Sequence, residues 1–171
     1  MASASRGTVV VLLAVLVGSC SSADPPGNGG GNPSPGGGGS ASQAVGRFVL
    51  SESGCRYEGP VTVDAGQISV SIASELEAAA WFDLWQMEEG HTYSELVAHI
   101  DEEQRRAEAG EPGLGHPTFA TLVAEGEADP SAEATITLEA ASGEYGMACI
   151  GIDPDTETPS SISAAGPFVA G

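Results

Sequence analysis

The chain has 171 residues, of which 24 are aspartate or glutamate and 5 are arginine, and its formal net charge is −19 at pH 7. This length allows one domain of ordinary size plus appendages. Such an acidic surface repels phosphate backbones and anionic lipid head groups, so we expect no nucleic-acid partner and no electrostatic attachment of the domain to a membrane. A basic partner or accumulated cations would suit the charge better.

The N-terminus carries an export signal. Arg6 precedes an apolar run over residues 8–17, and ten residues are too few to span a hydrocarbon core of about 30 Å. The run ends in Leu16-Val17-Gly18-Ser19-Cys20, which resembles the lipobox of bacterial lipoproteins. The resemblance implies that residues 1–19 are removed and that Cys20 is lipidated, which would place the chain at the cell membrane, facing the extracytoplasmic side. An ordinary secretory signal followed by a chance cysteine is the alternative.

A linker is predicted to follow the anchor. Residues 21–45 consist mainly of Gly, Pro, Ser and Asn and hold almost nothing apolar to bury. Such a composition is typical of a disordered, flexible tether. The lipidated cysteine and its linker therefore occupy residues 20–45, and the folded domain is expected over residues 46–171.

The domain is predicted to be all-β with one short helix. Short apolar or alternating runs are separated by turn signals, which is typical of a sandwich or barrel. Thr92 and Glu95 fit a capping box at the start of a helix that Gly110 should end. We expect this helix to cover one edge of the sandwich. The predicted strands are 47–50, 61–63, 67–72, 81–87, 118–124, 133–140, 144–150 and 167–169.

Two cysteines remain once Cys20 is assigned to the lipid. Cys55 and Cys149 form an even pair in a chain that we expect outside the cytoplasm, so we predict a disulfide between them. Two free buried thiols are the alternative.

Three stretches of the domain resemble the cupredoxin family. They are residues 59–70, residues 82–92 and, most specifically, residues 134–149, which end in Gly143-Glu144-Tyr145-Gly146-Met147-Ala148-Cys149. A Gly-x-Tyr-x-x-x-Cys run is similar to the strand that carries the copper thiolate in that family. The resemblance implies a Greek-key β-sandwich.

The resemblance also implies where copper ligands would lie. A site of that type needs two imidazoles, one thiolate and a weak axial Met. The thiolate position matches Cys149, but Trp81 and Ser163 stand at the two imidazole positions and Pro167 at the methionine position. We therefore expect the fold without its electron-transfer site, and no cofactor.

Other candidate sites are weaker. His91, His99 and His116 show no spacing typical of metal ligands. The run Asp153-x-Asp155-x-Glu157 is similar to the start of a calcium loop but lacks its glycine and its closing glutamate. Alternation places Trp81 and Trp85 on one strand face, where they form either a binding platform or part of the core.

No residue cluster in the sequence supports catalysis, so we expect no enzyme. There is no Gly-x-Ser-x-Gly motif, and the paired glutamates at 88–89 and 102–103 fall at solvated positions. The favoured function is a non-catalytic binding or accessory domain, anchored through Cys20, for an extracytoplasmic protein or a cell-wall ligand. The alternative is metal handling, with copper or calcium held by His, Met147 and acidic side chains.

Overall fold

The computed structural model describes residues 43–171, which form two β-sheets and one helix. The chain passes repeatedly from one sheet to the other, and these crossings join the two sheets into one sandwich. In chain order the elements are β1 (Gln43–Ser51), β2 (Gly54–Glu58), β3 (Thr62–Val63), β4 (Gly66–Ser74), β5 (Ala80–Met87), α1 (Tyr93–Ala109), β6 (Ala120–Ala128), β7 (Glu133–Ala140), β8 (Gly143–Ile152) and β9 (Pro159–Ala170).

Both sheets are mixed. The first has the order β2-β1-β4-β7, and the second has the order β3-β9-β8-β5-β6. Strand β1 runs parallel to β4, and β3 runs parallel to β9, whereas the other pairs are antiparallel. The described residues therefore confirm the predicted fold class, an all-β sandwich with one helix.

The main core lies between the two sheets. It forms because alternate residues of each strand face inward, as the buried Phe82 and Leu84 of β5 illustrate. Gly126 permits close approach of the sheets at β6, since a Cβ built on it would lie 2.7 Å from Cδ1 of Ile72. The largest fully buried side chains of this core include Phe48, Leu50, Ile68, Ile72, Phe82, Leu84, Tyr145, Met147 and Phe168.

A second, smaller core lies beneath the helix. Helix α1 packs on the outer face of the five-stranded sheet and buries Leu96 and Ile100 against Trp85, Met87 and Ala148. Gly146 permits this contact, because a Cβ there would lie 2.6 Å from Cδ2 of Tyr93. The expectation that the helix covers an edge of the sandwich is confirmed in part. The helix lies on the face of the sheet, and it also covers β9, which is an edge strand apart from its short pairing with β3; there the backbone N–H of Ile162 donates to the side chain of Gln104.

The predicted helix ends are confirmed. The backbone N–H of Thr92 donates to the carboxylate of Glu95 at 2.8 Å, which is the reciprocal contact expected of a capping box. Gly110 adopts a left-handed conformation with φ 66°, and its N–H donates to the carbonyl of Ala107.

Several strand bounds differ from the sequence prediction. Strand β2 was not predicted, because its five residues include no Val, Ile or Leu, and two of them are exposed. Strand β9 has 12 residues, where only 167–169 were expected, since the small polar residues that open it do not look like a strand. Strand β6 runs past residue 124 to Ala128, and β1 begins at Gln43, three residues before the expected domain start at Gly46.

Candidate functional site

The predicted disulfide is present. Cys55 of β2 is bonded to Cys149 of β8, with the two Cα atoms 6.0 Å apart, so the bond joins the two sheets. Cys149 is fully buried in the main core. Its sulfur is therefore committed to a structural bond and is no thiolate for a metal.

Of the positions at which copper ligands were considered, Ser163 lies beside Cys149, but Trp81 lies on the other face of the sheet. Trp81 lies opposite Ile150 in the sheet and faces outward, whereas the neighbouring Cys149 faces the core. Ser163 lies opposite Cys149, and its hydroxyl accepts a hydrogen bond from the backbone N–H of Cys55 at 3.0 Å. The residues present do not fit a copper ion of the cupredoxin type.

The three histidines each contact an aromatic ring, and two of them share the same ring. The ring of His91 stacks on Phe119 with centroids 5.6 Å apart, and the ring of His99 meets Phe119 edge-on at 6.0 Å. His116 contacts Trp85 edge-on at 5.1 Å. Within residues 43–171, no three His, Cys, Asp or Glu side chains are grouped as metal ligands.

The acidic loop between β8 and β9 folds around its own backbone. The carboxylate of Asp153 accepts hydrogen bonds from the N–H groups of Asp155 at 2.8 Å and Thr156 at 3.0 Å. These bonds hold the pKa of Asp153 below its usual range. The side chain therefore caps a turn, which is a common role for aspartate at the start of a loop.

The outer face of the five-stranded sheet is covered by the helix at one end and open at the other. The two tryptophans of β5 lie on this face and have different surroundings: Trp85 is 4% exposed beneath the helix, whereas Trp81 is 44% exposed beyond it. The sequence analysis left open whether the two tryptophans form a binding platform or part of the hydrophobic core. In the structure, Trp85 belongs to the core and Trp81 does not.

Carboxylates surround the exposed indole. In the antiparallel pairing of β5 with β6, Trp81 lies directly opposite Glu127, and Asp83 lies opposite Glu125. Directly opposed residues project on the same side of a sheet with Cβ atoms about 5 Å apart. Together with Gly126 these side chains line a shallow groove of about 450 Å³, which we call the Trp81 groove.

A smaller cleft of about 220 Å³ adjoins the groove at Asp83. Trp85, His99 and His116 line it together with apolar side chains of the sheet and helix. The indole Nε1 of Trp85 is buried and has no hydrogen-bond partner among the described residues. Leaving a buried donor unsatisfied costs about 1–3 kcal/mol, so this indole carries a local cost in stability.

Asp83 lies between the groove and the cleft. Burial, and then the nearby carboxylate of Glu125, raise the pKa of Asp83 above its usual range, and His116 opposes the shift. A carboxylate in this position is poorly solvated when it is ionised, and it gains from any cation placed beside it.

The arginines of the described domain are all engaged elsewhere. Arg47 and Arg56 pair with glutamates on the four-stranded sheet side, and Arg105 and Arg106 both pair with Glu102 on the helix. Within residues 43–171, none of the ion pairs includes Asp83, Glu125 or Glu127. The Trp81 groove thus keeps its negative charge uncompensated by the arginines.

The sequence analysis missed Asp83, Glu125 and Glu127. A signal was available for the last two, since the alternation that predicted a strand at 118–124 continues through Glu125-Gly126-Glu127. Their relation to Trp81 was not available, because it depends on the register between β5 and β6.

The anchor residue Cys20, the signal over 1–19 and most of the linker over 20–45 lie outside the described residues. Between residues 43 and 171 the structure has no helix that is long and apolar enough to span a membrane.

Comparison with known proteins finds likeness at the level of solved structures. No protein-family model matches the chain, and no curated protein matches it. Among solved structures it is similar to the dithionite-reduced auracyanin of the photosynthetic bacterium Roseiflexus castenholzii, with 21% identity, coverage of 73% of this chain and 96% of that chain, and a TM-score of 0.39. Auracyanin is a cupredoxin, the family that the sequence resembles; a match of this extent carries no information on activity or ligand.

Proposed function

We propose that this chain is a lipid-anchored extracytoplasmic protein whose folded domain binds a partner and catalyses no reaction. Cys20 would carry the lipid, residues 21–42 would act as a tether, and the sandwich would be presented outside the membrane.

The disulfide between Cys55 and Cys149 is the observation that carries the proposal. Disulfides persist in oxidising compartments and are rare where thioredoxin and glutathione keep thiols reduced. A buried bond between two sheets supports an exported protein, and it agrees with the signal and lipobox pattern that ends at Cys20.

The arrangement of polar side chains supports binding more than catalysis. His99 Nε2 lies 2.9 Å from the carbonyl oxygen of Gly115, and His91 Nδ1 lies 3.1 Å from the carboxylate of Glu95. These contacts engage one ring nitrogen of each. The Trp81 groove, by contrast, presents an aromatic surface and free carboxylates, which are groups used for recognition.

The anchor is tested by replacing Cys20. In a bacterial host that lipidates exported proteins, the wild-type chain should incorporate radiolabelled palmitate and partition into the detergent phase. Cys20→Ser should abolish labelling and release or mislocalise the protein, because no thiol remains to accept the diacylglycerol. Ser21→Ala, one residue beyond the lipobox, is the matched control and should behave like wild type.

Equal membrane retention of the Cys20→Ser chain would overturn the anchor. An unlabelled wild-type chain that is recovered outside the membrane would do the same, and it would favour an ordinary secretory signal.

A further inference from the structure

We propose that the Trp81 groove binds an arginine side chain of a basic partner protein, with the guanidinium stacked on the indole of Trp81 and paired with the carboxylates around it. The inference rests on the proposed function, since it names the chemistry of the partner that the anchored domain would meet.

The first argument is charge. Asp83, Glu125 and Glu127 project from the same face as Trp81, and they form no ion pair within residues 43–171. The chain as a whole carries a formal charge of −19. Complementarity of potential selects a cationic partner and opposes an acidic one, because like charges brought together at an interface cost free energy.

The second argument is the exposed aromatic ring. Trp81 is 44% exposed. The carboxylate of Glu127 lies opposite it on β6, and Asp83 lies two residues further along β5. A planar guanidinium stacks on an indole face and can still direct its N–H groups to a carboxylate, whereas an ammonium group is a compact point charge. The pairing of indole with carboxylates therefore favours arginine over lysine.

The third argument concerns the cleft that adjoins the groove at Asp83. Trp85, Ile100 and Ile150 give this cleft an apolar wall beside the carboxyl of Asp83. A peptide brings apolar groups together with its arginine, so a single ligand class can supply both the cation for Asp83 and apolar contacts for the cleft. At about 220 Å³ the cleft suits a side chain or a short main-chain segment better than a large cofactor.

The test uses the full chain, purified in a neutral detergent, and two peptides that differ in charge alone. The first is acetyl-Gly-Arg-Gly-Arg-Gly-amide, and the second has citrulline in place of both arginines. The chain contains two tryptophans, and only one of them is exposed, so quenching or a shift of indole emission reports the groove directly. Calorimetry gives the affinity independently.

We expect the arginine peptide to bind and the citrulline peptide not to bind. Trp81→Ala and Glu127→Gln should each weaken binding about fivefold or more, which corresponds to the loss of one cation–π contact or one charged hydrogen bond. Trp81→Phe should retain part of the affinity. Glu139→Gln is the matched control, because it removes the same charge from an exposed position on the other sheet, and it should change the affinity less than twofold.

Several outcomes would overturn the inference. If Glu139→Gln weakens binding as much as Glu127→Gln does, the net charge alone attracts the peptide. If butylguanidinium binds as tightly as the peptide, the groove takes a small cation and not a protein partner. If a cell-wall oligosaccharide binds at Trp81 while the arginine peptide does not, the ligand class is wrong.

Failure of this inference is separable from failure of the proposed function, because palmitate labelling is measured on the same preparation. A lipidated, membrane-bound chain that ignores the peptide overturns the arginine site alone. A chain that binds the peptide but carries no lipid overturns the anchor and leaves the site intact.

Discussion

Cys55 is bonded to Cys149 across the sandwich, from the edge strand of the four-stranded sheet to a central strand of the other sheet. The bond closes a loop with a sequence separation of 94 residues. Beside it, the backbone N–H of Cys55 donates to the Ser163 hydroxyl at 3.0 Å, so the same edge is held to the second sheet by a hydrogen bond as well.

We predict that reducing this disulfide lowers the free energy of unfolding by about 4–5 kcal/mol, because the reduced chain regains the entropy of a long open loop. Denaturant unfolding with and without reductant measures the change, and the paired Cys55→Ala and Cys149→Ala substitutions should match the reduced protein. Labelling of free thiols at these two positions in the native, unreduced protein would contradict the bond itself.

Gln104 links the helix to the sheet beneath it. Its side-chain oxygen accepts the backbone N–H of Ile162 at 2.6 Å, and its amide nitrogen donates to Glu108 at 2.7 Å. Gln104→Ala should lower the free energy of unfolding by about 1–2 kcal/mol, because a partly buried backbone donor in β9 loses its acceptor. Chemical denaturation measures this loss.

Glu108→Ala is the control for that substitution. It removes only the exposed contact of the Gln104 amide and should cost less than about 0.5 kcal/mol. Equal losses for the two variants would mean that the bond to Ile162 contributes nothing measurable.

Asp83 should destabilise the domain at neutral pH. Burial, and then Glu125, raise the pKa of Asp83 in the folded state, so folding disfavours its ionised form. Asp83→Asn should therefore raise the melting temperature at pH 7. The gain should shrink as the pH falls through the raised pKa toward about 4, because the wild-type carboxyl then becomes neutral as well.

Melting curves of wild type, Asp83→Asn and the distant Glu139→Gln across this pH range test the sign. A gain that grows as the pH falls would contradict it. The same Asp83→Asn variant should bind the arginine peptide less tightly than wild type does. Asp83 would then lower the stability of the domain and raise its affinity for a cation.

Copper should not form a blue centre in this domain. Strong thiolate-to-copper charge transfer needs a reduced cysteine beside two imidazoles, and here Cys149 is bonded to Cys55 while Trp81 and Ser163 occupy the imidazole positions. Titration of the oxidised protein with Cu(II) should produce no intense visible band and no copper that survives desalting. One retained copper per chain, lost when Cys149 or any single histidine is replaced, would support the metal-handling alternative.

Much of the fold follows from local pattern. Short alternating runs predicted the all-β fold, and the capping box at Thr92 and the glycine at 110 predicted the helix ends. These features depend on neighbours within a few residues along the chain, and the physics that sets them acts over the same short range. The pairing of Cys55 with Cys149 was also accessible, because two cysteines allow a single intramolecular bridge.

The tertiary structure alone decided which of those features form a site. The sequence placed Trp81 and Trp85 on one face, but only the packing of α1 against the sheet buries one and leaves the other exposed. Glu125 and Glu127 come beside Trp81 and Asp83 because an antiparallel register joins residues more than 40 positions apart. That register cannot be predicted from side-chain identity and local periodicity, because it depends on how the two sheets pack around one core.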